Sequence, residues 1–362
     1  APRDPYGRHV FVGGNTLLPA LLRDHADALR PNADAAAFDA VIAGVRAQLA
    51  ERTAILGHIV ERIGDSLHID VSVHNLAGHK FPSGYPSRRA WLRVRVTDAT
   101  DAPRFRSGEV DAGGRLLDGA GQPLASELVG GPVQPHHQTI DSDAVAQVYE
   151  SVMADKAGMP AFRLLRGRSF AKDNRLLPAG WDPGHADAPR TSPAGVGADP
   201  DFIAAGDTTR YVVAAPAAGG PYKVSVELLY QPLAPRFAAE LFAALLELGH
   251  LGPREATRVR VQLAESLANS GQLYAAAQAY REAVDTGEGA SEAERTEWLR
   301  RAAVLLLQTG QHDEGKATLG RLLPRVGLTM THGLASTIAR LLAQRARLAF
   351  RRLELPPASA AP

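Results

Sequence analysis

The chain has 362 residues, enough for two or three domains, with 45% hydrophobic and 22% charged side chains, as in ordinary globular proteins. Its 40 Lys and Arg balance 39 Asp and Glu, and a net charge near +1 argues against broad binding to nucleic acid or an anionic membrane surface. The absence of cysteine excludes disulfides, thiol nucleophiles, zinc–thiolate sites, iron–sulfur clusters and covalent attachment of haem c by this chain.

The chain opens Ala1-Pro2-Arg3 without an initiator Met, which reads as a lost signal peptide or as a fragment of something longer. Pro2, Pro5, Gly7, Gly13 and Gly14 make residues 1–20 an extended arm. Between residues 35 and 62, Phe38, Val41, Ile42, Val45, Leu49, Ile55 and Ile59 recur at helical spacing, so a long amphipathic helix is expected there. Residues 1–64 are thus an arm plus a helix. No run of 18 apolar residues occurs, so no membrane span is expected.

The period then changes. Leu67, Ile69, Val71 and Val73 alternate with His68, Asp70, Ser72 and His74, and Leu92, Val94 and Val96 alternate with Trp91, Arg93 and Arg95. These are half-buried strands. Residues 209–214 and 222–230 repeat the pattern, with shorter candidates at 109–110 and 145–150. Short strands, Gly/Pro turns and no βαβ rhythm predict an antiparallel β-sandwich over residues 65–235. Residues 174–200 are a long Pro/Gly/Asp-rich loop of a size that is usually functional or partly disordered.

After Pro235 the composition turns to Ala, Leu, Glu and Arg with helical periodicity. Leu263, Ala264 and Leu267 precede Gly271, and Leu273, Ala276, Tyr280 and Ala283 follow it. A second copy runs Ala302, Ala303, Leu306, Gly310, Gly315, Leu319 and Leu322. Small residues at helix contacts and a Gly at each turn resemble the tetratricopeptide pattern, so residues 236–350 are expected to be an all-α stack of helical hairpins, with a third pair from Thr329. Residues 351–362 are a disordered tail. The fold class is α+β multidomain.

The segment richest in chemistry is residues 74–92, HNLAGHKFPSGYPSRRAWL. One strand ends at Asn75, a Gly/Pro-rich loop follows, and the next strand begins at Arg89. Pro82 and Pro86 stiffen the loop that carries His79, and an imidazole on a stiff loop suits metal or haem-iron ligation. Arg88 and Arg89 beside Trp91 suit a carboxylate partner. His136 and His137 alternate on an extended segment, so one at most faces a given site, and a surface turn is the plainer reading.

This stretch resembles the haem-free portion of multihaem c-type cytochromes related to cytochrome c554. Residues 5–15 (PYGRHVFVGGN), 135–137 (PHH), 172–178 (KDNRLLP), 207–211 (DTTRY) and 227–232 (ELLYQP) match in the same order. In that family the haem-attachment motifs lie N-terminal to this region, and this chain has none. The resemblance implies haem c held by a partner or a missing N-terminal part. It further implies that His79 and His9 match positions that lend distal iron ligands, with His137 a weaker candidate and Arg88 and Arg89 facing a propionate or an acidic partner. A periplasmic or extracellular location follows from the same resemblance.

Phosphate loops, H-E-x-x-H, G-x-S-x-G and dinucleotide fingerprints are missing from the sequence, which speaks against a self-contained enzyme. The expected function is an accessory or docking module of a c-type cytochrome electron-transfer system, its partner a c-type cytochrome or other redox protein. The alternative is a scaffold that binds a protein partner through the helical repeats with no redox role. A hydrolase or metal enzyme built on His136 or His137 with Asp141 and Asp143 is a third.

Overall fold

The computed structural model describes residues 13–328 apart from 248, 250 and 270. His9, the third helical pair and the tail lie outside the described residues. Helices α1 (Leu17–Asp24), α2 (Ala26–Leu29) and α3 (Ala35–Glu51) open the described chain. Asp34 starts α3 by accepting the Ala37 N–H at 2.8 Å, as an N-cap aspartate should.

The long helix expected to residue 62 stops at Glu51, and β1 (Ala54–Ile63) follows, pairing along its whole length with β2 (Ser66–Asn75). Ile55 and Ile59, four apart, share a face in a strand as well as in a helix. Gly64, at φ +58°, closes the two-residue turn between the strands. In chain order come β3 (Arg89–Thr97), β4 (Pro103–Ser107), β5 (Glu109–Val110), β6 (Leu116–Leu117), β7 (Thr139–Ile140), β8 (Val148–Ala154) and β9 (Ser169–Asp173). Then follow the short α4 (Ala188–Thr191), β10 (Gly206–Ala214) and β11 (Lys223–Gln231).

One large sheet runs β1-β2-β10-β7 and a second β11-β3-β8-β9, with β4 also on β3, while β5 and β6 pair in a small third sheet. Pairing is antiparallel except for the short parallel contact of β7 with β10. The inward residues of β2 and β10 (Leu67, Ile69, Val71, Val73, Tyr211, Val213) and those of β3 (Ala90, Leu92, Val94, Val96) share one core with Phe105 and Tyr149. Each large apolar side chain buried there stabilises the fold by roughly 1.5–3 kcal/mol.

The C-terminal region is helical: α5 (Pro235–Glu247), α6 (Pro253–Asn269), α7 (Leu273–Thr286), α8 (Glu292–Gln308) and α9 (His312–Leu322). α6 turns back into α7 at Gly271 and α8 into α9 at Gly310, both glycines at positive φ. Ala264, Ala276, Ala277 and Ala302 are fully buried where these helices meet. Ser291 and Glu294 form a reciprocal capping box at the start of α8. Among the described residues no helix is long and apolar enough to cross a membrane.

Candidate functional site

The loop after β2 is pinned from within by Asn75. Its Nδ2 donates to His79 O at 2.8 Å and to Leu176 O and Leu177 O at 3.2 Å, and its Oδ1 accepts the Ala77 N–H at 2.9 Å. Phe81 exchanges backbone hydrogen bonds with Leu176 and stacks on Tyr230 at 6.0 Å between centroids. Arg88 closes the loop by donating to Ser83 O at 2.9 Å.

His79 is exposed on this rigid base, and its Nδ1 lies 3.0 Å from Lys80 O. A carbonyl oxygen only accepts, so Nδ1 carries the ring proton and Nε2 keeps its lone pair. His74, also exposed, has the same arrangement, Nδ1 to Ala205 O at 3.1 Å. The sequence offered no sign of this, because the accepting carbonyl comes from a turn 131 residues away.

The other candidates fare differently. Arg89 was expected at the surface, but its side chain is 4% exposed and forms an ion pair with Glu127, itself 3% exposed. Gln231 Oε1 and Gly114 O accept two of its remaining donors. It lies on the face of β3 opposite Ala90 and Leu92, covered by Gly114 and Glu127, and has no reach to an external carboxylate. His137 is half-buried, and its Nε2 accepts from Gln134 Nε2–H at 3.2 Å, while Gln134's other amide hydrogen goes to Ala146 O. Burial pulls the His137 imidazole below its ordinary range, with the positive charge of Lys172 adding to the effect.

The surface-turn reading of His136 is wrong: its side chain is 2% exposed. Asp141 and Asp143 are exposed and do not accompany it. Its Nε2 meets Asp199 Oδ2 at 2.9 Å, and Gln147 Nε2 and Asn174 Nδ2 both point at its Nδ1, at 2.8 and 3.0 Å. Asp207 lies alongside, its Oδ1 3.9 Å from His136 Nε2 and its Oδ2 accepting from Tyr149 O–H at 2.7 Å. Burial pushes the Asp207 carboxyl up. Burial also raises that of Asp201, and the hydrogen bond and charge of Asp199 carry it to about 6. Burial opposes ionisation of Asp199 too, but the hydrogen bonds from His136 and the Asp201 backbone win and hold it low. The aspartates lie 63 and 71 residues after His136 in the chain, so no local spacing announced the cluster.

No protein-family model and no curated protein matches the chain. A solved penta-heme cytochrome c552 from Thermochromatium tepidum superposes with a TM-score of 0.32 and 16% identity, over 56% of this chain and 36% of that one. The chain thus spans little more than a third of that structure, and so loose a superposition decides neither fold nor function.

Proposed function

We propose that the chain is an accessory or docking module of a c-type cytochrome electron-transfer system, working in the periplasm or outside the cell, and that His79 faces haem c held by a partner or by a further N-terminal part. In this reading the two sheets are a β-sandwich and the C-terminal helices are tetratricopeptide-like hairpins open to a protein partner. Arg88, beside the His79 loop, is the guanidinium for a propionate.

One observation carries the reading. The scattered segments that resemble the cytochromes meet in space. Gly14 O accepts from Tyr230 O–H, Tyr230 stacks on Phe81, and Phe81 pairs with Leu176. Lys80 is bonded to Asp173, and Asn174 to His136. Residues 172–178 and 227–232 touch the loop that presents His79, Gly14 joins them through Tyr230, and His136 and Asp207 connect to Asn174 behind it, Asp207 by way of His136. The free Nε2 of His79 is the form an iron ligand needs, with the other ring nitrogen tied to a backbone carbonyl.

The test uses a haem c peptide (microperoxidase) with an open axial position, and then purified multihaem cytochromes. Adding the chain is expected to convert the peptide's iron from high-spin to low-spin, saturably. His79→Ala removes that conversion while shifting stability by less than about 0.5 kcal/mol, as for an exposed loop residue. Conversion that survives His79→Ala overturns the ligand role, and failure to bind any multihaem cytochrome overturns the docking role.

A further inference from the structure

We infer that Asp199 and Asp207 form a site for a hard divalent cation, Ca²⁺ before Mg²⁺, held on their carboxylate oxygens, with His136 orienting Asp199 from behind and Asp201 adjoining at the rim. The inference is independent of the cytochrome reading.

Charge is the first argument. The Asp199 and Asp207 side chains are 2% and 0% exposed, and among the described residues neither they nor Asp201 form an ion pair with any Lys or Arg. A buried carboxylate needs a positive partner to stay ionised.

His136 does not supply it. Gln147 Oε1 accepts the His137 backbone N–H at 2.9 Å, and Asn174 Oδ1 accepts that of Glu150 at 3.0 Å. Both amides are therefore fixed with their N–H groups toward His136 Nδ1. Gln147's second amide hydrogen goes to Asp207 Oδ2 and Asn174's to Val148 O, so turning either amide would set like against like twice. Nδ1 can only accept, the ring is neutral, and its one proton sits on Nε2 facing Asp199.

The same geometry decides the class of metal. Ligation through Nε2 would strip the ring of its only proton, because Nδ1 has no room for one. A zinc-type site with an imidazole ligand does not fit. A carboxylate ligand oriented by an N–H behind it does, and oxygen-only ligation selects Ca²⁺ or Mg²⁺.

A second observation points into the cluster. Asp207 Oδ1 is buried without a hydrogen-bond partner, although Oδ2 of the same carboxylate has two. The ligand-capable atoms of His136, Asp199 and Asp207 lie within 4.8 Å of one another. Ca²⁺–oxygen distances of about 2.3–2.6 Å let two oxygens that far apart share one ion, while Mg²⁺ at about 2.1 Å demands a tighter set. Such an ion would tie residues 199–201, in the long segment after β9, to the start of β10.

The experiment titrates the EDTA-treated chain with CaCl₂, MgCl₂ and ZnCl₂ by calorimetry, with metal content by mass spectrometry and melting temperature in parallel. One Ca²⁺ per chain is expected, with a saturable rise in melting temperature. Asp207→Asn abolishes both. Asp201→Asn, at the half-buried rim, weakens Ca²⁺ binding with an unchanged circular dichroism spectrum and serves if the first variant fails to fold. His136→Gln weakens Ca²⁺ about tenfold, the scale of a ligand-orienting residue. Equal melting temperatures in EDTA and millimolar Ca²⁺, Ca²⁺ binding indifferent to both aspartate changes, or tight Zn²⁺ binding that His136→Gln abolishes would each overturn the inference.

Discussion

Lys80 reaches from the His79 loop to Asp173 at the end of β9, Nζ to Oδ2 at 2.7 Å, and Arg175 grips the same carboxylate through Nε and Nη2. Asp173 is 1% exposed, so this loop stands on a buried carboxylate shared by two cations.

Asp173→Asn should therefore cost about 3 kcal/mol, since it leaves two cations without their anion. Burial pushes the Asp173 carboxyl up, but hydrogen bonds and charge from Arg175 and Lys80 outweigh it, and it settles below the ordinary range. A carboxyl lowered on folding contributes stability above its unfolded value, about 4, and loses it as pH falls through the folded value. The melting-temperature gap between the native chain and Asp173→Asn should be wide at neutral pH and close under acid. A gap that persists below the carboxylate range would refute the assignment.

The Arg89–Glu127 pair offers a sharper contrast. Removing one charge, by Arg89→Met or Glu127→Leu, should cost about 3–5 kcal/mol because the survivor is left buried and unpaired. Arg89→Met with Glu127→Leu should recover most of that loss. Urea denaturation of the four species measures the coupling, and additive losses would mean that the two side chains act independently.

Nitrogen-15 spectra of the histidine rings test the hydrogen-bond reading without any substitution. At slightly alkaline pH the His79 proton should reside on Nδ1 and the His136 proton on Nε2. The His136 proton should also exchange slowly, being buried and held by Asp199. A His136 ring protonated on Nδ1 would sink both the amide argument and the choice of a hard cation.

Gly108 lies at φ +78°, and a Cβ there would sit 2.2 Å from Leu92 O. Its own carbonyl accepts from Trp91 Nε1–H at 2.9 Å. Gly108→Ala should cost about 2–4 kcal/mol through backbone strain and displacement of β3. A fully stable Gly108→Ala chain would show that the β4–β5 junction is free to move.

The strands that alternate strictly, β2 and β10, were legible because one face of each is core and the other is not. β1 was missed because it buries almost nothing: Ile55, Ile59 and Ile63 are exposed, so its apolar spacing carried no face information. The helical turns were legible from Gly271 and Gly310, since positive φ selects glycine. The His79 loop was legible because a single continuous stretch encodes it. The His136 cluster was not, because β7, β8, β9, β10 and the segment before β10 each contribute or flank one member, and only the folded topology brings them together. Arg89 was misjudged because an arginine starting a strand reads as exposed, and its partner Glu127 sits in a turn 38 residues on.

Arg236, in the first turn of α5, sends Nη1 to Ser126 O and Pro132 O and Nη2 to Gly131 O, while Glu240 one turn later accepts the Gly130 N–H. The junction between the sheets and the helices is thus a rivet in place of a flexible strap. A load applied to the helices is delivered first to residues 126–132, just ahead of the segment that carries His136 and His137. Bending the molecule there means breaking several charge-assisted hydrogen bonds together, so tension builds and then releases in one step, as in a latch.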